Sequence, residues 1–247
     1  MSVSPSESPF KQQLSLRDLS GIAGRIQHTI ISNVLTETGL QEHLAECIEF
    51  KFHAAMIPPA WVKRTTEFLR GTGVKVASFI DFPYGTMTSA GKAYESARLV
   101  EDGVEEIDLM PNVGFLLSGM EKEYSEDIRG VVEAARGIPV KIMLELPLLN
   151  TDQSERAVAL SIDAGVKYLK NASSGMVGVA TPEQIRFLRR VAPSHVGIKA
   201  SGGIKTGQQV RALLEAGADL IGTSAGAQIM MELRHAATPA QRGPGSY

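Results

Sequence analysis

Three residues could act together on a carbonyl group, and a repeat in the sequence places two of them. Asp108 is the fifth residue after Gly103 in "ARLVEDGVEEIDLMP" (97–111), and Lys170 is the fifth after Gly165 in "VALSIDAGVKYLKNA" (158–172). The third copy, "RALLEAGADLIGTSA" (211–225), has Gly222 at the same place after Gly217. If the copies superpose, Asp108 and Lys170 lie at one level with their side chains aimed alike. Lys199 ends a further apolar run, "HVGIKAS" (195–201). A lysine amine is a nucleophile only when neutral, and burial or a second nearby cation lowers its pKa. Lys199 can therefore activate Lys170, or the reverse. The neutral amine adds to a carbonyl, loses water to form an iminium, and then serves as an electron sink for an adjacent carbon–carbon bond. Asp108 can carry protons through the carbinolamine steps. A single strand-end lysine is more simply an ion-pair partner at a rim; the set of three favours chemistry.

The elements that must hold these groups follow from the same repeat. Each copy is the end of an amphipathic helix, a glycine suited to the left-handed residue that closes it, and a short apolar strand. Further strand candidates are "RIQHTII" (25–31), "FHAAMI" (52–57), "VKVASFI" (74–80) and "VKIMLEL" (140–146). Thr181-Pro182 and Thr206 suit helix starts, with Gln184 and Gln209 three residues on from each threonine, as in a capping box. Eight alternating strand–helix units predict an α/β fold, a single-domain (β/α)8 TIM barrel over 21–235, in preference to an open doubly wound sheet. Residues 1–20 and 236–247, rich in Ser, Pro and Gly, read as flexible tails. Barrel active sites lie at the C-terminal ends of the strands, where Asp108, Lys170 and Lys199 fall.

Composition narrows the partners. The 247 residues carry a net charge of -2 without a basic block, which argues against nucleic acid or an anionic membrane and for a small substrate. The only cysteine, Cys47, rules out an internal disulfide and reads as packing, as does Trp61. The N-terminus lacks the basic start and apolar run of a secretory signal, and no apolar segment is long enough to span a membrane, so the expected location is the cytoplasm. His28, His53, His195 and His235 show no ligand spacing, so no catalytic metal is expected.

Four motifs, "EEIDLMPNVG", "VKYLKNASSG", "VGIKASGGIKT" and "ADLIGTSAG", in this order and spacing, resemble the deoxyribose-phosphate aldolase family, over about residues 25 to 230. The resemblance implies a class I aldolase, an aldehyde-lyase on a (β/α)8 barrel, that works without metal or organic cofactor. It implies Lys170 as the Schiff-base lysine, Lys199 as the second active-site lysine and Asp108 as the proton relay. The implied substrates are acetaldehyde and glyceraldehyde 3-phosphate, joined to or released from 2-deoxy-D-ribose 5-phosphate. The loops "SGGIKT" (201–206) and "GTSAG" (222–226) lead into helix N-termini, which favour anions. They match the family's phosphate site, with Gly202, Gly203 and Ser224 as its residues. Some members end in a tyrosine that enters the site; this chain ends in Tyr247. The chain can act alone or as a homodimer.

The departures gather around the site. "KNASS" stands where the family has "KTSTG", placing Asn171, Ala172 and Ser174 there. Gln27 replaces an aspartate on the first strand, "AMIPP" (55–59) brings Met56 and Pro58, and Ala225 replaces a serine. Two alternatives therefore stand beside the main reading: a Schiff-base aldolase or lyase of a specialised pathway with another aldehyde or ketone, and a catalytically silent barrel that binds a metabolite.

Overall fold

The alternating pattern closes into a barrel of eight parallel strands, each paired with the next in sequence and the last with the first. A computed structural model describes residues 18–237. The strands are β1 (Ile26–Thr29), β2 (Ala54–Met56), β3 (Lys75–Ile80), β4 (Glu106–Leu109), β5 (Val140–Met143), β6 (Tyr168–Lys170), β7 (Gly197–Ser201) and β8 (Leu220–Thr223). The described elements reach slightly beyond the expected limits, from the short helix Leu19–Ala23 to the helix Gly226–Ala237.

Local chemistry sets the turns. Gly103, Gly165 and Gly217 have φ of 93°, 98° and 108°, and each reverses the chain between a helix and β4, β6 or β8. A side chain is strained in that region, which fixes glycine there. Thr181 and Thr206 form complete capping boxes with Gln184 and Gln209, and Asn150 forms a third with Gln153. The fourth long apolar run is shorter than its sequence predicts: β5 stops at Met143. Glu145 takes φ 54°, and Leu146–Leu148 make a 3-10 turn.

The two-residue period of the strands separates two environments. Ile26, Ala55, Ile57, Val76, Ile80, Ile107, Leu109, Val140, Ile142, Leu169, Ile198 and Ile221 are buried in the main core shared with the helices. The alternate residues face the barrel axis. On β2 and β3 these are apolar apart from Lys75 at the start of β3, with Ala54, Met56 and Ala77 forming a small separate cluster against Phe79. On β4 to β7 they include Glu106, Asp108, Lys141, Lys170 and Lys199, all buried. Branched apolar residues usually fill a barrel of this kind. Here one side of the interior is ionic.

Candidate active site

Strand register brings the charged residues together. Lys170 and Lys199 are partners across β6 and β7, and Asp108 and Lys141 are partners across β4 and β5. Lys170 Nζ donates to Asp108 Oδ2 at 2.9 Å, and Lys199 Nζ donates to the same oxygen at 2.6 Å. Lys141 Nζ lies 3.6 Å from Asp108 Oδ1 and 2.8 Å from Glu106 Oε2. Glu106 is held further by His53 at 2.8 Å, by Lys75 at 3.0 Å and by the Gln27 amide.

Three buried ammonium groups thus share two buried carboxylates, which leaves a surplus positive charge if all are ionised. Burial by itself would raise the Asp108 carboxyl, but the charges of Lys170, Lys199 and Lys141 outweigh it and hold it well below the usual carboxylate range. Burial pushes the Lys199 ammonium down to about 7; Asp108 opposes the shift, and Lys170 and Lys141 add to it. Glu106 is likewise held low, burial being outweighed by Lys141 and His53. An amine with an appreciable neutral fraction near pH 7 therefore sits beside a second amine and a permanent carboxylate.

Lys92 shows what a purely structural buried lysine looks like in this fold. Its Nζ donates to Gly85 O at 3.1 Å, Met110 O at 3.0 Å and Asp127 Oδ2 at 2.7 Å, so every proton has an acceptor. Lys170 and Lys199 instead converge on one oxygen. Gly222, the third repeat's counterpart of Asp108 and Lys170, makes room for them: a Cβ there would lie 2.9 Å from Lys199 Cε.

Above this floor opens a cleft of about 130 Å³, suited to a short-chain substrate. Met56, Phe79, Phe82 and Met143 give one side an apolar wall, with Thr29 beside them. The other side is built from Ser173, Ser174, Gly175, Ser201, Gly202, Gly203, Lys205, Thr223 and Ser224. The three expected anion-loop residues, Gly202, Gly203 and Ser224, therefore line the same cleft as Asp108, Lys170 and Lys199. Gly202 and Gly203 have φ of 113° and 62°, and a Cβ at Gly202 would lie 2.5 Å from Gly178 O. Close approach of the segment after β6 is thus a second reason for glycine at 202. Tyr247 lies outside the described residues.

Sequence reasoning missed Lys141 and Glu106, whose signal was charge at alternate positions within apolar runs. It also missed Lys205, which stands in the cleft beside the glycines. Glu145 is fully buried; Ser173 N–H donates to its Oε1 at 2.7 Å, and burial raises its carboxyl against that bond and the Lys170 charge.

The chain is 36% identical over 212 residues to the deoxyribose-phosphate aldolase of Geobacillus sp. (strain WCH70), covering 85% of this chain and 95% of that one. It is 37% identical over 205 residues to the Clostridium botulinum (strain Langeland) enzyme of the same name, covering 83% and 97%. It belongs to the deoxyribose-phosphate aldolase family. Protein-family models give no match. Among solved structures, the deoxyribose phosphate aldolase of Aeropyrum pernix, described as a unique tetramer, superposes with a TM-score of 0.80 at 29% identity, covering 89% of this chain and 92% of that one. The aldolase QR15 does so with 0.80 at 28%, covering 87% and 96%. Within this family's pattern the departure at Asn171 falls beside the cleft. Its Nδ2 donates to Gln184 at 3.0 Å and its Oδ1 accepts from Ser201 N at 2.8 Å, tying the ends of β6 and β7 to the following helix. The departure at Met56 lies in the aldolase cleft itself.

Proposed function

We propose that this class I aldolase cleaves and forms 2-deoxy-D-ribose 5-phosphate through a Schiff base on Lys170. The observation that carries the reading is the pair of amines on one Asp108 oxygen at the floor of the cleft, at 2.9 and 2.6 Å. In the cleavage direction, Lys170 Nζ attacks the C1 aldehyde of the open-chain sugar. The proton that leaves Lys170 passes to neutral Lys199, both amines being held on the same acceptor. Lys199 then returns that proton to the carbinolamine oxygen, a second proton taken up from solvent is relayed through the Asp108 carboxylate, and the oxygen departs as water and leaves the iminium. The Asp108 carboxylate takes the C3 hydroxyl proton as the C2–C3 bond breaks, the bond's electrons flow into the iminium to give an enamine, and glyceraldehyde 3-phosphate leaves. Protonation of the enamine and hydrolysis release acetaldehyde and restore the amine.

The phosphate is assigned to the loops at Gly202, Gly203 and Ser224, where the helices Gly207–Glu215 and Gly226–Ala237 begin and backbone amides and helix dipoles favour an anion. Lys205 adds a positive charge on that side of the cleft. Tyr247 is proposed to reach the donor's methyl carbon from the tail. The protein is assigned to the cytoplasm, as a monomer or homodimer. No described helix is long and apolar enough to cross a membrane.

Borohydride added with acetaldehyde tests the Schiff base: reduction should fix an ethyl group on Lys170, located by peptide mass spectrometry. An adduct only on Lys199 reverses the assignment, and no adduct on any lysine supports the silent barrel. Comparing cleavage of 2-deoxyribose 5-phosphate with that of 2-deoxyribose tests the substrate. Equal kcat/KM for the two would favour a specialised aldolase over the phosphorylated sugar.

A further inference from the structure

On the opposite side of the barrel wall from the ionic interior, His28 of β1 faces the helix Glu37–Phe50. His28 and His43 are buried, their rings stacked with centroids 4.4 Å apart and planes at 21°. His28 Nε2 lies 2.8 Å from Glu46 Oε2. His43, Glu46 and Cys47 share one face of the helix at i, i+3 and i+4, and Cys47 Sγ lies 3.9 Å from His43 Nε2. One potential ligand atom from each of His28, His43 and Glu46 can be chosen so that all lie within 4.8 Å of one another. The surrounding layer is otherwise apolar, with Ile26, Leu40, Leu44, Phe50 and Phe52 in the main core. Two imidazoles and a carboxylate are thus brought together in an otherwise apolar seam.

We propose that His28, His43 and Glu46 form a binding site for one divalent cation of the zinc type, in the seam between β1 and the helix Glu37–Phe50. Two nitrogen donors and one oxygen donor are the borderline set that suits zinc, and water completes four-coordination. His28 binds the cation through Nε2 as its Nδ1–H tautomer, and the proton shared between His28 Nε2 and Glu46 is released to solvent. Glu46, half-exposed, provides the route of entry. The site is separate from the Schiff-base centre: His28 and Gln27 are consecutive on β1, so their side chains take opposite faces of the wall. It touches the anion loops from behind, because a Cβ on Gly226, the first residue of the helix after "GTSA", would lie 2.8 Å from His28 Nδ1.

The test is titration of chelator-treated, desalted full-length protein with Zn²⁺ by calorimetry, and with Co²⁺ by visible absorption. The expected result is saturable binding of one cation per chain, with nitrogen-ligated Co²⁺ bands, and an affinity that falls by at least about ten-fold in Glu46→Gln and His43→Gln. Glu46→Gln changes a half-exposed group, so its fold can be checked by circular dichroism before titration. Absence of saturable binding would overturn the site. Binding of unchanged affinity in folded Glu46→Gln would also overturn it, because the cation would then be held elsewhere.

Discussion

Lys170 and Lys199 are register partners on adjacent strands, and both donate to one oxygen of Asp108. Parallel pairing makes this possible: partner residues project on the same side of the wall, so two strand-end lysines at one level must share whatever anion stands across the barrel. With Lys141 adding a third ammonium from below, the cheapest relief of the surplus charge is loss of a proton from a buried amine. The lowered ammonium is that of Lys199, which places a proton acceptor beside Lys170.

Removing the nucleophile should abolish this chemistry. Lys170→Ala is expected to lose several orders of magnitude in kcat/KM for retro-aldol cleavage and to give no borohydride-trapped adduct. A coupled assay of aldehyde release, with mass spectrometry of the trapped protein, measures both. Retention of more than a tenth of the activity, about 1.4 kcal/mol or less of lost stabilisation, would mean another amine carries the iminium.

The lowered Lys199 ammonium predicts a pH dependence with a definite sign. If neutral Lys199 accepts the proton from Lys170, kcat/KM should rise through about pH 7, and Lys199→Met should remove that rise. Stability follows the same group. Between about 7 and the ~10.4 of free lysine, the unfolded chain holds a proton that the folded chain lacks, so stability should increase with pH across that window. Urea denaturation at several pH values tests this, and the extra slope should be absent in Lys199→Met.

Asp108→Asn removes the counter-charge from two hydrogen-bonded ammonium groups in a dry interior. Breaking a buried ion pair from one side costs about 3–5 kcal/mol, so a lower unfolding midpoint should accompany loss of activity. Adding Lys199→Met to Asp108→Asn should recover part of the stability and none of the activity, because the two sites are in contact and their effects do not add.

The sequence revealed what depends on local chemistry and period. Gly103, Gly165 and Gly217 marked three helix ends because only glycine is at ease at their φ values, and the capping threonines at 181 and 206 marked two helix starts. Counting from those glycines was enough to align Asp108 with Lys170. Register across strands was less legible. Lys141 stood in plain view in "VKIMLEL", but nothing in that run says that it pairs with Asp108. Glu145 turned the end of the same run out of the sheet through a backbone angle that composition does not announce. His43 was hidden for a related reason, since its partner His28 comes from a strand and the two share no spacing.

Gly222→Ala tests whether space around Lys199 is a requirement. The added methyl would lie 2.9 Å from Lys199 Cε, inside van der Waals contact, so the lysine must shift from Asp108. Overpacking of this kind costs about 1–3 kcal/mol in stability. The expected signature is a fall in kcat larger than the change in KM, with the borohydride adduct still forming more slowly on Lys170. A variant with unchanged kcat would show that the side chain can move without consequence.

The anion loops make the last prediction, and it turns on which groups are still available to bind. Ala225 N–H already donates to Thr223 Oγ1 at 3.0 Å, so that amide is engaged within the loop. Ala225 brings no hydroxyl of its own, while Ser224 is exposed and lines the cleft with Lys205. Ala225→Ser would add one donor, worth about 0.5–1.5 kcal/mol net and more toward a charged acceptor, and should raise the preference for 2-deoxyribose 5-phosphate over 2-deoxyribose by up to roughly ten-fold. Lys205→Ala should lower the same preference and make it less sensitive to ionic strength, because an exposed charge acts through screened solvent. Both effects are read as the ratio of kcat/KM for the two sugars at low and high salt. A ratio that neither substitution moves would leave Gly202 and Gly203 as turn residues, required by their φ values and, at Gly202, by the close approach of Gly178 O, with no phosphate to hold.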